Sequence, residues 1–160
     1  MLRGLPGVYV LVGELNDDVK GTGLTKEFIQ TAAEQEPRRV GIHVYDWDDP
    51  KQKQEIDDKN VPMLYTNVNS VRGDAPFDEL YAAHIEVSLE EDVWTGPRPR
   101  IDSKGTSISR PLIIKGADIW HSGSTTLASE ARISDSVLEG VKQLTDKFCN
   151  DFLKANPKTK

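Results

Sequence analysis

Ile133-Ser134-Asp135-Ser136-Val137-Leu138-Glu139-Gly140-Val141-Lys142-Gln143-Leu144-Thr145-Asp146-Lys147-Phe148-Cys149-Asn150-Asp151-Phe152 is the stretch from which the fold is read. Ile133, Val137, Val141, Leu144, Phe148 and Phe152 recur at steps of three and four, which places them on one stripe of a helix. Ser134, Asp135, Glu139, Lys142, Gln143, Asp146, Lys147 and Asp151 face away. Such a stripe has to bury itself, most cheaply against a sheet built from the apolar segments upstream.

Those segments read as five strands. Val8, Val10 and Val12 alternate with Tyr9 and Leu11, as in a central strand buried on both faces. After a polar, glycine-containing loop, Thr25 is placed to cap a helix that buries Phe28, Ile29, Ala32 and Ala33, with Leu24 packed on Ile29. Pro37 removes an amide and crowds the preceding turn, so that helix is expected to stop or kink near Glu36. Residues 40–45 are expected as the second strand, 46–60 as a solvated loop or short surface helix, and 62–69 as the third strand. Leu64, Thr66 and Val68 lie on one face of that third strand, and Met63, Tyr65, Asn67 and Asn69 on the other. Tyr81 to Leu89 shows the clearest period of two, and residues 111–122 give a fifth strand, bulged at Gly116 where the alternation changes phase.

The order strand, helix, four strands, helix predicts an α+β two-layer sandwich: a mixed sheet of about five strands with two helices on one face and the last three strands as an antiparallel meander. A single domain over 7–156 accounts for the 160 residues, with 1–6 and 157–160 as flexible ends. A net charge of -6 repels polyphosphate, so nucleic acid is not an expected partner. The apolar run Val8 to Val12 is too short for a transmembrane helix, and no transmembrane segment is expected. The one cysteine, Cys149, reads as a small buried hydrophobe.

No catalytic constellation assembles in the sequence, and no cofactor motif is present. Asp46, Asp48 and Asp49 offer oxygen ligands without the glycine and distal glutamate of a calcium loop, so they read as turn formers. His43, His84 and His121 sit on or near three strands and read as isolated surface residues. His121-Ser122-Gly123-Ser124 sets a base beside hydroxyls but lacks the nucleophile elbow, and reads as a polar strand end. Gly21 and Gly23 precede a helix without either glycine-rich phosphate motif. Two candidate binding regions are left. Arg98, Arg100, Lys104 and Arg110 concentrate positive charge in a stiff Gly-Pro-Arg-Pro-Arg loop suited to an anionic partner. Asn67, Asn69, His84 and His121 offer polar strand ends that form a pocket wall if they converge.

Leu64-Tyr65-Thr66-Asn67-Val68-Asn69, Trp120-His121-Ser122-Gly123-Ser124 and the ending Phe148 to Lys158, together with Leu15 to Gly41 and Tyr81 to Leu89, resemble a family of uncharacterised bacterial proteins. Its members read Leu-Tyr-x-Asn-Val-Asn, Trp-Ser-x-Gly-Ser and Phe-Ile-Asn-Asp-Tyr-Leu-x-x-Asn-Pro-Lys; here Cys149 and Phe152 stand in place of the Ile and Tyr of the ending. The resemblance implies a periplasmic or secreted protein whose leader is not seen in this chain, with a cytoplasmic location left open. The order of elements is also similar to the N-terminal domain of the Tol-system propeller protein and to curli-secretion lipoproteins. That similarity implies a protein partner or self-association in a non-catalytic interaction or assembly module. A small-ligand carrier or enzyme using the polar strand ends is the alternative.

Overall fold

The computed structural model describes residues 2–95 and 112–157. In chain order the elements are β1 (Val8–Val12), α1 (Asp17–Lys20), α2 (Lys26–Arg39), β2 (Val44–Tyr45), α3 (Pro50–Lys59), β3 (Met63–Arg72), β4 (Leu80–Thr95), β5 (Leu112–Ser129) and α4 (Glu130–Ala155). The five strands form one mixed sheet in the order β2-β1-β3-β4-β5. β1 runs parallel to β2 and β3, while β3, β4 and β5 form an antiparallel meander. The architecture is an α+β sandwich.

α2 and α4 cover one face because each has an apolar stripe and the strands present alternate apolar residues to it. From α4 come Ile133, Val137, Val141, Leu144, Phe148 and Cys149, all buried; from the strands come Val8, Val10, Leu64, Val68, Ala83, Ile85, Val87 and Leu89. Phe148 is wholly buried, edge-on to Trp120 at 5.4 Å and 6.0 Å from Phe152. The Trp120 indole donates to Asp151 Oδ2 at 3.1 Å, so the ring that packs under the helix also ties to it. Gly140 lets α4 approach β4: a Cβ there would lie 2.4 Å from Ile85 Cδ1.

Several expectations are corrected. Phe28 is 56% exposed, because the buried line of α2 passes through Ile29, Ala33, Glu36 and Pro37 and leaves Phe28 beside it. α2 does not end near Glu36; it continues to Arg39 with Pro37 buried inside it. Backbone bonds from Val40 to Glu36 and from Ile42 to Pro37 hold the turn beyond the proline, as does the Arg39–Glu36 ion pair at 2.6 Å. The second strand shrinks to two residues, since Gly41 takes a positive φ of 84° and the chain turns before it extends. Within residues 46–60 the expected short surface helix is present as α3, Pro50–Lys59, capped by Asp49, but it is not merely solvated: it closes a second small core of Tyr45, Ile56 and Val61 with Tyr9 and Trp47 packed on it. Tyr9 and Tyr45 pair in register and alternate with the residues of the main core, so α3 covers the β1–β2 end of the opposite face.

The last three strands are longer than the sequence suggested. β5 continues to Ser129, so His121 to Ser124 lies mid-strand and not at a strand end. The bulge at Gly116 is present, with φ of 60°, between the pairs Glu91–Ala117 and Val93–Ile114. Lys147, read as facing away from the core, is exposed, yet its amine reaches back to donate to the buried Ser122 Oγ at 2.9 Å. Ahead of β1, Leu2 is buried and Asn156 Nδ2 donates to its carbonyl at 2.7 Å, which sets Leu2 against the end of α4.

Candidate functional site

Strand alternation sends one side chain in two away from α2 and α4, and on β3, β4 and β5 these build an open face. Register sets the rows: Asn69 opposite His84 and His84 opposite Thr125; Asn67 opposite Glu86 and Glu86 opposite Gly123; Tyr65 opposite Ser88 and Ser88 opposite His121. Asn67, Asn69, His84 and His121 therefore share one face. His121 Nε2 lies 2.8 Å from Glu86 Oε1, and His84 Nδ1 lies 3.1 Å from Thr125 Oγ1. Gly123 leaves room for the His84 ring, whose Cε1 would be 3.3 Å from a Cβ at that glycine.

The arrangement is a ladder, not a pocket wall. Asn69, His84, His121 and Thr125 are all exposed, and none of Asn67, Asn69, His84 and His121 lines either of the two large clefts described below. The two histidine contacts run along the sheet surface and converge on no shared point, so the four side chains make an open polar strip suited to contact with another surface. Arg98, Arg100, Lys104 and Arg110 lie outside the described residues.

One row further along, Val71 pairs with Ala82 and Ala82 with Leu127. Val71 is 67% exposed and Leu127 70%, with Ala82 exposed between them. The sequence reading missed this apolar row because it ended β3 at Asn69 and β5 at Ser122. The signal was present: Ser122, Ser124, Thr126 and Ala128 alternate with Gly123, Thr125 and Leu127, a period of two written in small and β-branched residues.

At the opposite end of the open face a cleft of about 390 Å³ lies between the sheet and α3. Tyr9 and Trp47 stack at 4.9 Å on its apolar side with Ile56, Val61 and Met63, and Asp57, Asn60, Glu90, Glu91 and Asp92 are its polar lining. Burial, together with the charges of Asp92, Asp57 and Glu90, pushes the Tyr9 hydroxyl up. A larger cleft of about 470 Å³ lies between β5 and α4, with Ile85 and Gly140 in its lining and Arg132, Asp135 and Glu139 on the helix side.

The carboxylates of the Asp46 to Asp49 turn have structural duties. Asp46 Oδ1 accepts from Asp48 N at 2.9 Å, and Asp49 accepts from Lys51 N at 2.9 Å, which holds its carboxyl below the ordinary range. Among the described residues no group of three or more His, Cys, Asp and Glu is placed to hold a metal ion. Gly21 closes α1, and Gly23, with φ of 82°, carries the turn into α2. Cys149 is buried, and its thiol is pushed up to about 12, chiefly by burial and then by Asp146 and Glu36. It is a packing residue and not a nucleophile at neutral pH. No helix among the described residues is long and apolar enough to cross a membrane. No protein-family model matches the chain, and no curated protein is significantly similar to it.

Proposed function

We propose that the chain is a non-catalytic protein-interaction or assembly module of the bacterial cell envelope that meets its partner on the open face of β3, β4 and β5. The observation that carries this reading is the in-register exposed row Val71–Ala82–Leu127, set beside the polar ladder on a face that α2 and α4 leave uncovered. Apolar area next to hydrogen-bonding groups is the composition of a protein contact surface. The envelope location rests on the resemblance to exported bacterial proteins. A photo-crosslinking amino acid at Ala82, in the chain expressed in its own cell, is expected to trap a discrete partner, whereas the same group at Thr31 on α2 traps none. Equal labelling from both positions, or none from Ala82, contradicts the reading. Recovery of the protein only with the cytoplasm removes the envelope part.

A second reading, a small-ligand carrier, is favoured by the cleft beside α3 in place of the polar strand ends. Its four carboxylates repel anions, and the Lys53 amine 4.5 Å over the Trp47 ring marks where an organic cation would sit in its place. Titration with tetramethylammonium and with a short alkyl diamine tests this. Saturable heat that is lost in Trp47→Ala supports it, and no saturation at millimolar ligand rejects it.

A further inference from the structure

β5 is an edge strand of the sheet, and among the described residues no strand lies on its outer side. An unpaired edge presents a row of backbone donors and acceptors, and sheet proteins commonly protect such an edge with charge, proline or a very short strand. The far edge of this sheet follows that rule, since β2 has only two residues. β5 does not. From Ile119 to Ser129 it contains no Asp, Glu, Lys, Arg or Pro, and its irregularities lie at or before Ile119.

Beside this edge runs the cleft of about 470 Å³ between β5 and α4. A strand added to β5 sends alternate side chains into that cleft and the others onto the open face. On the cleft side they meet Asp135 and Glu139, two carboxylates against the single guanidinium of Arg132. On the open face they lie beside Leu127, which is 70% exposed and, among the described residues, has no strand on its outer side.

We propose that β5 and α4 form a site for strand addition, taking an extended peptide segment of a protein partner in which basic side chains, turned into the cleft, alternate with apolar ones on the open face. This rests on the reading of the chain as an interaction module and names the class of segment that it binds. The backbone of the segment supplies affinity through the ladder, and the alternation selects it.

The test uses the whole chain and the peptide acetyl-Thr-Val-Lys-Val-Lys-Val-Thr-amide, with its Lys→Glu counterpart and an N-methylated copy as controls. Binding is read by titration calorimetry and by amide exchange. The lysine peptide is expected to bind with a dissociation constant on the order of 100 μM, as suits a short unconstrained segment. It should slow exchange at alternate amides between Ile119 and Ser129. Asp135→Asn with Glu139→Gln, both exposed on α4, should weaken it by about fivefold or more, and the N-methylated and glutamate peptides should not bind. Slow exchange in β5 that depends on protein concentration without peptide points to a second copy as the occupant and overturns the proposal. Absence of binding at 1 mM peptide (about ten times the constant expected above), protection elsewhere, or equal binding of the glutamate peptide also overturns it. Crosslinking from Ala82 persisting under any of these results leaves the interaction reading standing and removes only the strand-addition site.

Discussion

The two faces of β3, β4 and β5 are made from the same strands and differ by one residue of phase. Leu64, Val68, Ile85, Val87 and Leu89 are buried under α2 and α4, while Asn69, His84, His121 and Leu127 are exposed. Stability is therefore concentrated on the covered face, and the open face is left to carry recognition. A slip of one residue in register would exchange the two sets, so the apolar face itself fixes the register and thereby places Asn69 beside His84.

The largest effect should come from the covered face. Phe148→Ala removes a ring held between Trp120 and Phe152 and is expected to cost about 3–5 kcal/mol in denaturant unfolding. Lys142→Ala, on the exposed side of α4, should change stability by no more than about 0.5 kcal/mol. Equal effects would mean that the stripe of α4 does not face the sheet.

Cys149 extends the contrast to pH. Burial pushes its folded thiol up to about 12, above the ordinary value near 9, so between these values the native state holds a proton that the unfolded chain releases. Stability is accordingly independent of this group below about pH 9 and falls as pH rises toward 12. The unfolding midpoint of the unaltered protein should drop more steeply across that window than that of Cys149→Ala, and parallel curves would contradict the burial of the thiol.

Within the covered face, two polar groups separate sharply. Lys147→Ala leaves the buried Ser122 hydroxyl without the amine that donates to it, and is expected to cost about 1 kcal/mol, above the Lys142 control. Thr66 Oγ1 is buried with no hydrogen-bond partner among the described residues. Thr66→Val replaces that hydroxyl with a methyl group of similar shape and should be neutral or stabilising by up to about 1 kcal/mol. A clear loss of stability would show that the hydroxyl has a partner in solution.

What was legible in the sequence follows the same division. The α4 stripe, the alternation of β3 and β4 and the Thr25 cap depend on local periodicity and capping chemistry, and these put the elements in order. The extent of β5 was only faintly legible, because Ser122 to Ser129 alternates in small and β-branched residues with Leu127 as its single large apolar side chain, and it takes its pairing from β4. That omission hid both the Val71–Ala82–Leu127 row and the unprotected edge. Convergence of Asn67, Asn69, His84 and His121 on one face needed the register; that this face is left open needed the covering helices to be placed as well. The course of α2 through Pro37 depended on backbone bonds beyond the proline that local propensity does not contain.

The smallest effects should be found on the open face, and their smallness matters for the functional reading. Asn69 is exposed, and both side chains of the Glu86–His121 contact at 2.8 Å are open to solvent, where such a contact contributes little. Asn69→Ala and Glu86→Gln should each shift stability by no more than about 0.5 kcal/mol. Residues without a structural duty are free to be specified by a partner, and the same two substitutions should reduce partner trapping from Ala82 while the unfolding curve stays in place. A loss above about 1 kcal/mol from either substitution would make the ladder part of what holds the sheet together, and it would remove the ladder from the proposed contact surface.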